Sequence, residues 1–74
     1  MTLNETLRIL RQAKGWSQTR LARESGVSQT YISDLEAGRS NPTVPVLKRL
    51  AAALGVRVSD LIGEGEEQPE AKTG

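Results

Sequence analysis

QTRLARESGVSQTYISDLEA, running from Gln18 to Ala37, is the stretch that decides the fold. Leu21 and Ala22 belong to a short helix, and the small Ala22 lets a neighbouring helix approach closely. Gly26 supplies the left-handed backbone that ends this helix at little steric cost. Val27 then points inward, and Ser28 offers a side-chain oxygen to start a second helix. Ile32 and Leu35 recur at helical spacing on its buried face. Two short helices therefore cross over a sharp turn, and the second leaves a polar row free to meet something outside.

Reading outward, a helix is predicted from about Leu3 to Ala13, with Thr2 and Glu5 as a capping box and Leu3, Leu7 and Leu10 as its apolar stripe. Lys14-Gly15 ends it, placing a cation near the helix C-terminus and glycine in the stop position. Ser17 caps the helix Gln18 to Ser25, and Trp16 with Leu21 has the spacing of a hydrophobic staple; Val27 and Ile32 repeat that staple around Ser28. The helix after Ser28 is predicted over Gln29 to Ala37, with Gly38 as its stop. Arg39-Ser40-Asn41-Pro42 reads as a loop, because proline disfavours helix in the residue before it. Thr43 caps a fourth helix, Val44 to Leu54, in which Pro45 falls in the first turn without costing a hydrogen bond. Val46, Leu47, Leu50, Ala51 and Leu54 are its predicted buried positions. Ser59 is read as the cap of a short last helix containing Leu61 and Ile62. Five short helices with no strand signal predict an all-α compact bundle around a central helix-turn-helix.

Composition sets the outer limits. Seventy-four residues allow one small domain, expected at 1–62, with no room for a second, effector-binding module. The chain has no Phe, one Trp and one Tyr, so its core must be aliphatic. It has no Cys and no His, which removes disulfides, thiolate chemistry, the commonest metal ligand and the commonest general base. No metal site and no cofactor are expected. MTLNETLRIL carries charges inside its apolar pattern and is neither a secretion signal nor a membrane span, so a soluble cytoplasmic protein is expected. The net charge of +1 conceals an asymmetry: 1–62 carries nine Lys or Arg against five Asp or Glu, whereas 63–74 carries Lys72 against Glu64, Glu66, Glu67 and Glu70. The foldable part is basic, as a phosphate-binding module would be. The tail GEGEEQPEAKTG is acidic and reads as disordered. Asp34 and Glu36, two apart on one helix, point to different faces and have no His or Cys beside them, so no enzyme is predicted.

The continuous run GWSQTRLARESGVSQTYISDLEAGRSNPTVPVLKRLAAALGV, with its Glu36-Ala37-Gly38-Arg39 ending, Asn41-Pro42 loop and LAAALGV helix end, resembles the Cro/repressor (Xre-type) family of helix-turn-helix DNA-binding proteins. The resemblance covers about Leu3 to Ile62. It implies that the third helix lies in the major groove of double-stranded DNA, with its first residues at base edges. Gln18 corresponds to a family glutamine that contacts phosphate and braces the recognition helix. Ser28, Gln29, Thr30, Ser33 and Asp34 occupy the outward positions. Arg39, Ser40, Asn41 and Thr43 sit in the loop that follows the sugar-phosphate backbone. Arg11 and Glu36 match a structural pair tying the first helix to the end of the third.

The residue chemistry agrees with those roles. Gln29 donates and accepts at once, which suits the N6/N7 edge of adenine, and Thr30 adds a methyl that fits thymine. Ser28 and Ser33 are short donors for phosphate or bridging water. Asp34 is harder to place: it accepts from cytosine N4, braces Arg39 or another Arg, or stands at a solvated rim. Tyr31 either packs its ring beside the second or fourth helix or also lends its hydroxyl to a phosphate. A recognition surface this short of cations calls for two subunits, hence a homodimer on a roughly palindromic operator. Val56, Val58, Leu61 and Ile62 are the candidate pairing surface; the alternative is that they cap the monomer core. The other class of function is an antitoxin or protein-binding adaptor on the same fold, with the acidic tail as partner segment.

Overall fold

The computed structural model describes residues 2–62 and contains five α-helices: α1 (Leu3–Ala13), α2 (Gln18–Ser25), α3 (Gln29–Glu36), α4 (Val44–Leu54) and α5 (Val58–Ile62). The first four begin where a hydroxyl can accept an orphan backbone N–H. Thr2 accepts from Glu5, Ser17 from Arg20, Ser28 from Tyr31 and Thr43 from Val46. The Glu5 carboxylate returns the bond to the Thr2 N–H at 3.2 Å, completing the capping box. Pro45 stands in the first turn of α4, where its missing N–H costs nothing.

Two helix limits differ from the sequence reading. Helix α3 stops at Glu36, one residue early, with Ala37 as its C-cap and Gly38 beyond it at φ 78°. The α5 helix begins at Val58, so Ser59 lies inside its first turn and does not cap it. A carboxylate takes that part: Asp60 Oδ2 accepts from the Arg57 N–H at 2.9 Å, reaching back from the third helical position.

Gly26 makes the central turn. Its φ of 76° is left-handed, and a Cβ there would meet nothing closer than Arg49 Nη1 at 4.0 Å. Backbone conformation, not lack of space, requires glycine at this position.

The core takes Leu7 from α1, Leu21 from α2, Val27 from the turn, Ile32 and Leu35 from α3, Leu47, Leu50, Ala51 and Leu54 from α4, and Leu61 from α5. Helix α2 packs on α3 and α4, α1 packs on α3 and α5, and α4 packs on α5. Val46 is half-buried at the margin of this core. One expectation is corrected here. Leu61 is 0% exposed within a single copy, so it cannot belong to a pairing surface; α5 uses it to close the core against α1 and α4. Val56, Val58 and Ile62 are half-buried against the same core and keep part of their surface outside. The tail 63–74, read as disordered, lies outside the described residues. No strand occurs among the described residues, and none of their helices is long and apolar enough to cross a membrane.

Candidate nucleic-acid interface

Helix α3 is amphipathic in a way that leaves one row outward. Ile32, Leu35 and Glu36 are buried, Gln29 and Thr30 are exposed, and Ser33 and Asp34 are half-exposed. The exposed row is polar and uncharged apart from Asp34. Ser28 precedes it; its Oγ accepts the Tyr31 N–H at 3.0 Å and keeps its hydroxyl proton to donate elsewhere. Thr43, at the start of α4, is in the same state, accepting from the Val46 N–H at 3.3 Å.

Behind this row sits a buried ion pair. Arg11 Nε donates to Glu36 Oε2 at 2.7 Å and Arg11 Nη2 to Glu36 Oε1 at 2.8 Å, a bidentate fork joining α1 to the end of α3. Arg11 Nη1 donates to the Trp16 carbonyl at 2.8 Å, so the guanidinium also pins the chain entering α2. The Glu36 hydrogen bond holds the Arg11 value above the ordinary guanidinium range against the opposing effect of burial. Burial by itself pushes the Glu36 carboxyl up, but hydrogen bonds from Arg11 and Gln18, with the charges of Arg11 and Arg8, bring it below the usual carboxylate range.

Gln18 connects the pair to the surface. Its Nε2 donates to Glu36 Oε1 at 3.1 Å, and its Oε1 accepts from Gln29 Nε2 at 3.4 Å. The first residue of α2 thus touches both the buried carboxylate and the first residue of α3.

The loop after α3 is tied down in two places. Arg39 Nε lies 3.2 Å and Nη2 3.1 Å from Asp34 Oδ1, and the Arg39 N–H donates to the Asp34 carbonyl at 2.8 Å. Of the three readings of Asp34, the structure has the brace: its carboxylate faces Arg39, whose own side chain stays 65% exposed. Tyr31 packs its ring against the core and donates its hydroxyl to the Asn41 carbonyl at 3.1 Å. That proton is therefore engaged, and Tyr31 serves to hold the loop. Ser40 is half-buried and Asn41 exposed.

Sequence reasoning missed the link from Gln18 to Glu36 and the Trp16 carbonyl as partner of Arg11. The first depends on how α2 crosses α3; the second spans only five residues but depends on the path of the turn after α1, which no motif marks. It also missed the setting of Trp16, whose ring lies 5.0 Å from Lys14 Nζ and 4.8 Å from Arg20 Cζ, a cation on each count. Basic residues flanking an aromatic two or four positions away were the available hint. Among the described residues no cluster of His, Cys, Asp or Glu could hold a metal ion, and they enclose no pocket.

Comparison with known proteins agrees with this fold. A helix-turn-helix family model matches residues 7–61. The immunity repressor protein of Bacillus phage phi105 is 35% identical over 74 residues, which cover 95% of this chain and 51% of the repressor. Among solved structures, the restriction-modification controller protein C.AhdI from Aeromonas hydrophila superposes with a TM-score of 0.79 at 37% identity, covering 81% of this chain and 91% of the controller. SinR, solved in complex with SinI, superposes with a TM-score of 0.81 at 30% identity over 95% of this chain and 69% of that one. The chain belongs to the helix-turn-helix family of Cro/repressor type, a family of DNA-binding transcriptional regulators. It spans about half the length of the phage repressor.

Proposed function

We propose that this chain is a sequence-specific transcriptional regulator that binds double-stranded DNA as a homodimer, with α3 in the major groove. The observation that carries this reading is the outward polar row of α3, anchored from behind by the buried Arg11–Glu36 pair. Gln29 and Thr30 would meet base edges. Ser28, Ser33, Asn41, Thr43 and Ser40 would donate to phosphate or bridging water. Arg39, steered by Asp34, would bind the backbone as a point of positive charge. Gln18 would give its remaining N–H to phosphate, and the N-termini of α2 and α4 would add their partial positive charge.

No catalytic role accompanies this. The chain has neither His nor Cys, and the carboxylates of Asp34 and Glu36 are held by Arg39 and Arg11. A cytoplasmic location follows from a DNA partner in a bacterial or phage regulator. Dimerisation through the exposed parts of Val56, Val58 and Ile62 would set two α3 helices about 34 Å apart on a palindromic operator. Selection from random duplexes at moderate salt tests the reading. A palindromic motif is the expected result; the absence of any motif overturns it.

A second reading keeps the fold and adds a protein partner, as for an antitoxin or adaptor. The similarity to SinR, solved with SinI bound, favours it. The acidic stretch 63–74 would be the natural contact segment. Affinity purification from the host after nuclease treatment separates the two: a stoichiometric protein retained without DNA supports the partner, and purified chain alone argues against it.

A further inference from the structure

We infer that Arg23, Lys48 and Arg49 form a docking surface for the acidic stretch 63–74 of the same chain, which competes there with polyanions from outside.

Charge pairing singles out these three residues. Residues 2–62 hold five carboxylates and nine Lys or Arg. Four of the carboxylates each meet one cation, in the pairs Arg11–Glu36, Arg20–Glu24, Arg39–Asp34 and Arg57–Asp60. Glu5, the fifth, accepts from the Thr2 N–H. Arg8, Lys14, Arg23, Lys48 and Arg49 are left without a carboxylate among the described residues. Of these, Arg8 acts on Glu36 through its charge, and Lys14 stands over the Trp16 ring. Arg23, Lys48 and Arg49 have neither kind of partner among the described residues, and all three are exposed.

Helix packing brings them to one surface. Arg23 stands in the last turn of α2. Arg49 reaches from α4 to the residue that ends α2, its Nη1 4.0 Å from where a Gly26 Cβ would stand. Lys48 adjoins Arg49 on the exposed side of α4. Helix α4 packs on α5 as well as on α2, so the chain after Ile62 starts beside the element that carries two of the three cations. Twelve extended residues span about 40 Å, whereas α4, with 11 residues, is about 16 Å long. Glu64, Glu66, Glu67 and Glu70 therefore have the reach to cross α4. With Lys72 they give the stretch a net −3, against the +3 of the three cations.

Each exposed ion pair is weak and screened by salt. The tether offsets this by holding the carboxylates at an effective concentration on the order of millimolar. Docked there, the stretch covers cations beside the turn that leads into α3. Its consequence for DNA rests on the reading above: binding to arbitrary duplex, which depends on charge alone, is suppressed more than binding to an operator whose base contacts stay open.

Nuclear magnetic resonance of the labelled full chain tests the contact without DNA. The comparison variant carries Glu64→Gln, Glu66→Gln, Glu67→Gln and Glu70→Gln, which keeps the length and removes the charge. At about 0.02 M salt its amide shifts should differ from the native ones at residues 23–26 and 48–49, and at about 0.5 M the difference should vanish. Differences confined to 63–74, or centred on Arg8, Lys14 or Arg57, overturn the site. Differences that grow with protein concentration assign the surface to a second copy and overturn the contact within one chain. On scrambled duplex at low salt the same variant should bind several-fold tighter than the native chain. With Arg23→Gln and Arg49→Gln also present, that gain should shrink to less than half. An equal gain in both backgrounds is a plain effect of net charge and overturns the docking. A chain that binds no duplex fails at the proposed function, and the amide shifts still decide the contact.

Discussion

Arg11 and Glu36 illustrate how a single buried contact can hold a surface in place. Neither side chain is free to relax into water, with side-chain exposures of 11% and 5%. Removing Arg11 leaves a carboxylate without its partner in the interior. We expect Arg11→Ala to lower unfolding free energy by about 3–5 kcal/mol, read as a drop in urea midpoint. The pair also makes stability depend on acid. Because Glu36 titrates below its unfolded value in the folded chain, its contribution is complete above the ordinary carboxylate value of about 4.3. It is lost as pH falls through the lower folded value. Denaturation midpoints measured between about pH 6 and pH 2 should therefore fall more steeply in the native chain than in Glu36→Gln, if that variant folds. Parallel slopes would show that the carboxylate is not held as described. At the surface, Arg39→Ala should weaken binding to all duplexes alike, whereas Gln29→Ala should change base preference with the fold intact. Comparison of the two variants on matched and scrambled duplexes checks both halves.

At the scale of elements, the helices are short and their ends carry much of their definition. Helix α3 has eight residues and no charged residue placed to favour its dipole in the first turn. The Ser28 cap is the local device that starts it. Ser28→Ala should cost about 1 kcal/mol of stability and speed hydrogen exchange of the first α3 amides, which then lack their acceptor. The turn before it is equally local. Gly26→Ala should cost about 1–2 kcal/mol, because the left-handed conformation penalises a Cβ even where the surrounding space is open. These local devices were legible from residue order: Ser17, Ser28 and Thr43 each cap as read, since a cap bond spans three residues. The misplaced start of α5 has the same explanation in reverse. Ser59 and Asp60 are both chemically able to start a helix, and local order does not say which does.

For the whole molecule, the basic balance of 1–62 matters more than any single cation. With nine Lys or Arg against five Asp or Glu in that region, DNA binding should be strongly salt-dependent, weakening linearly in log[salt]. Replacing Ile62 with Ser should cost the monomer only part of the stability a fully buried residue would, because Ile62 is half-buried and Leu61 fills the core, while raising the protein concentration needed for duplex binding. Sedimentation and a binding isotherm on the selected operator would check this; unaltered association would move the pairing surface elsewhere.

Residue order by itself determined the helices, their hydroxyl caps, the glycine turn and the aliphatic core, because each follows from contacts three or four residues apart or from the period of the apolar positions. The Arg11–Glu36 pair was legible only through resemblance to a family, since the partners are 25 residues apart. Tertiary structure alone decided that Gln18 bridges Glu36 and Gln29, that Asp34 turns to Arg39, that Tyr31 spends its hydroxyl proton on Asn41, and that Leu61 lies inside. The Gln18 bridge and the burial of Leu61 depend on how the helices pack on one another, which involves many side chains at once. The Asp34 and Tyr31 contacts depend on the path of the loop after α3, which residue spacing leaves open.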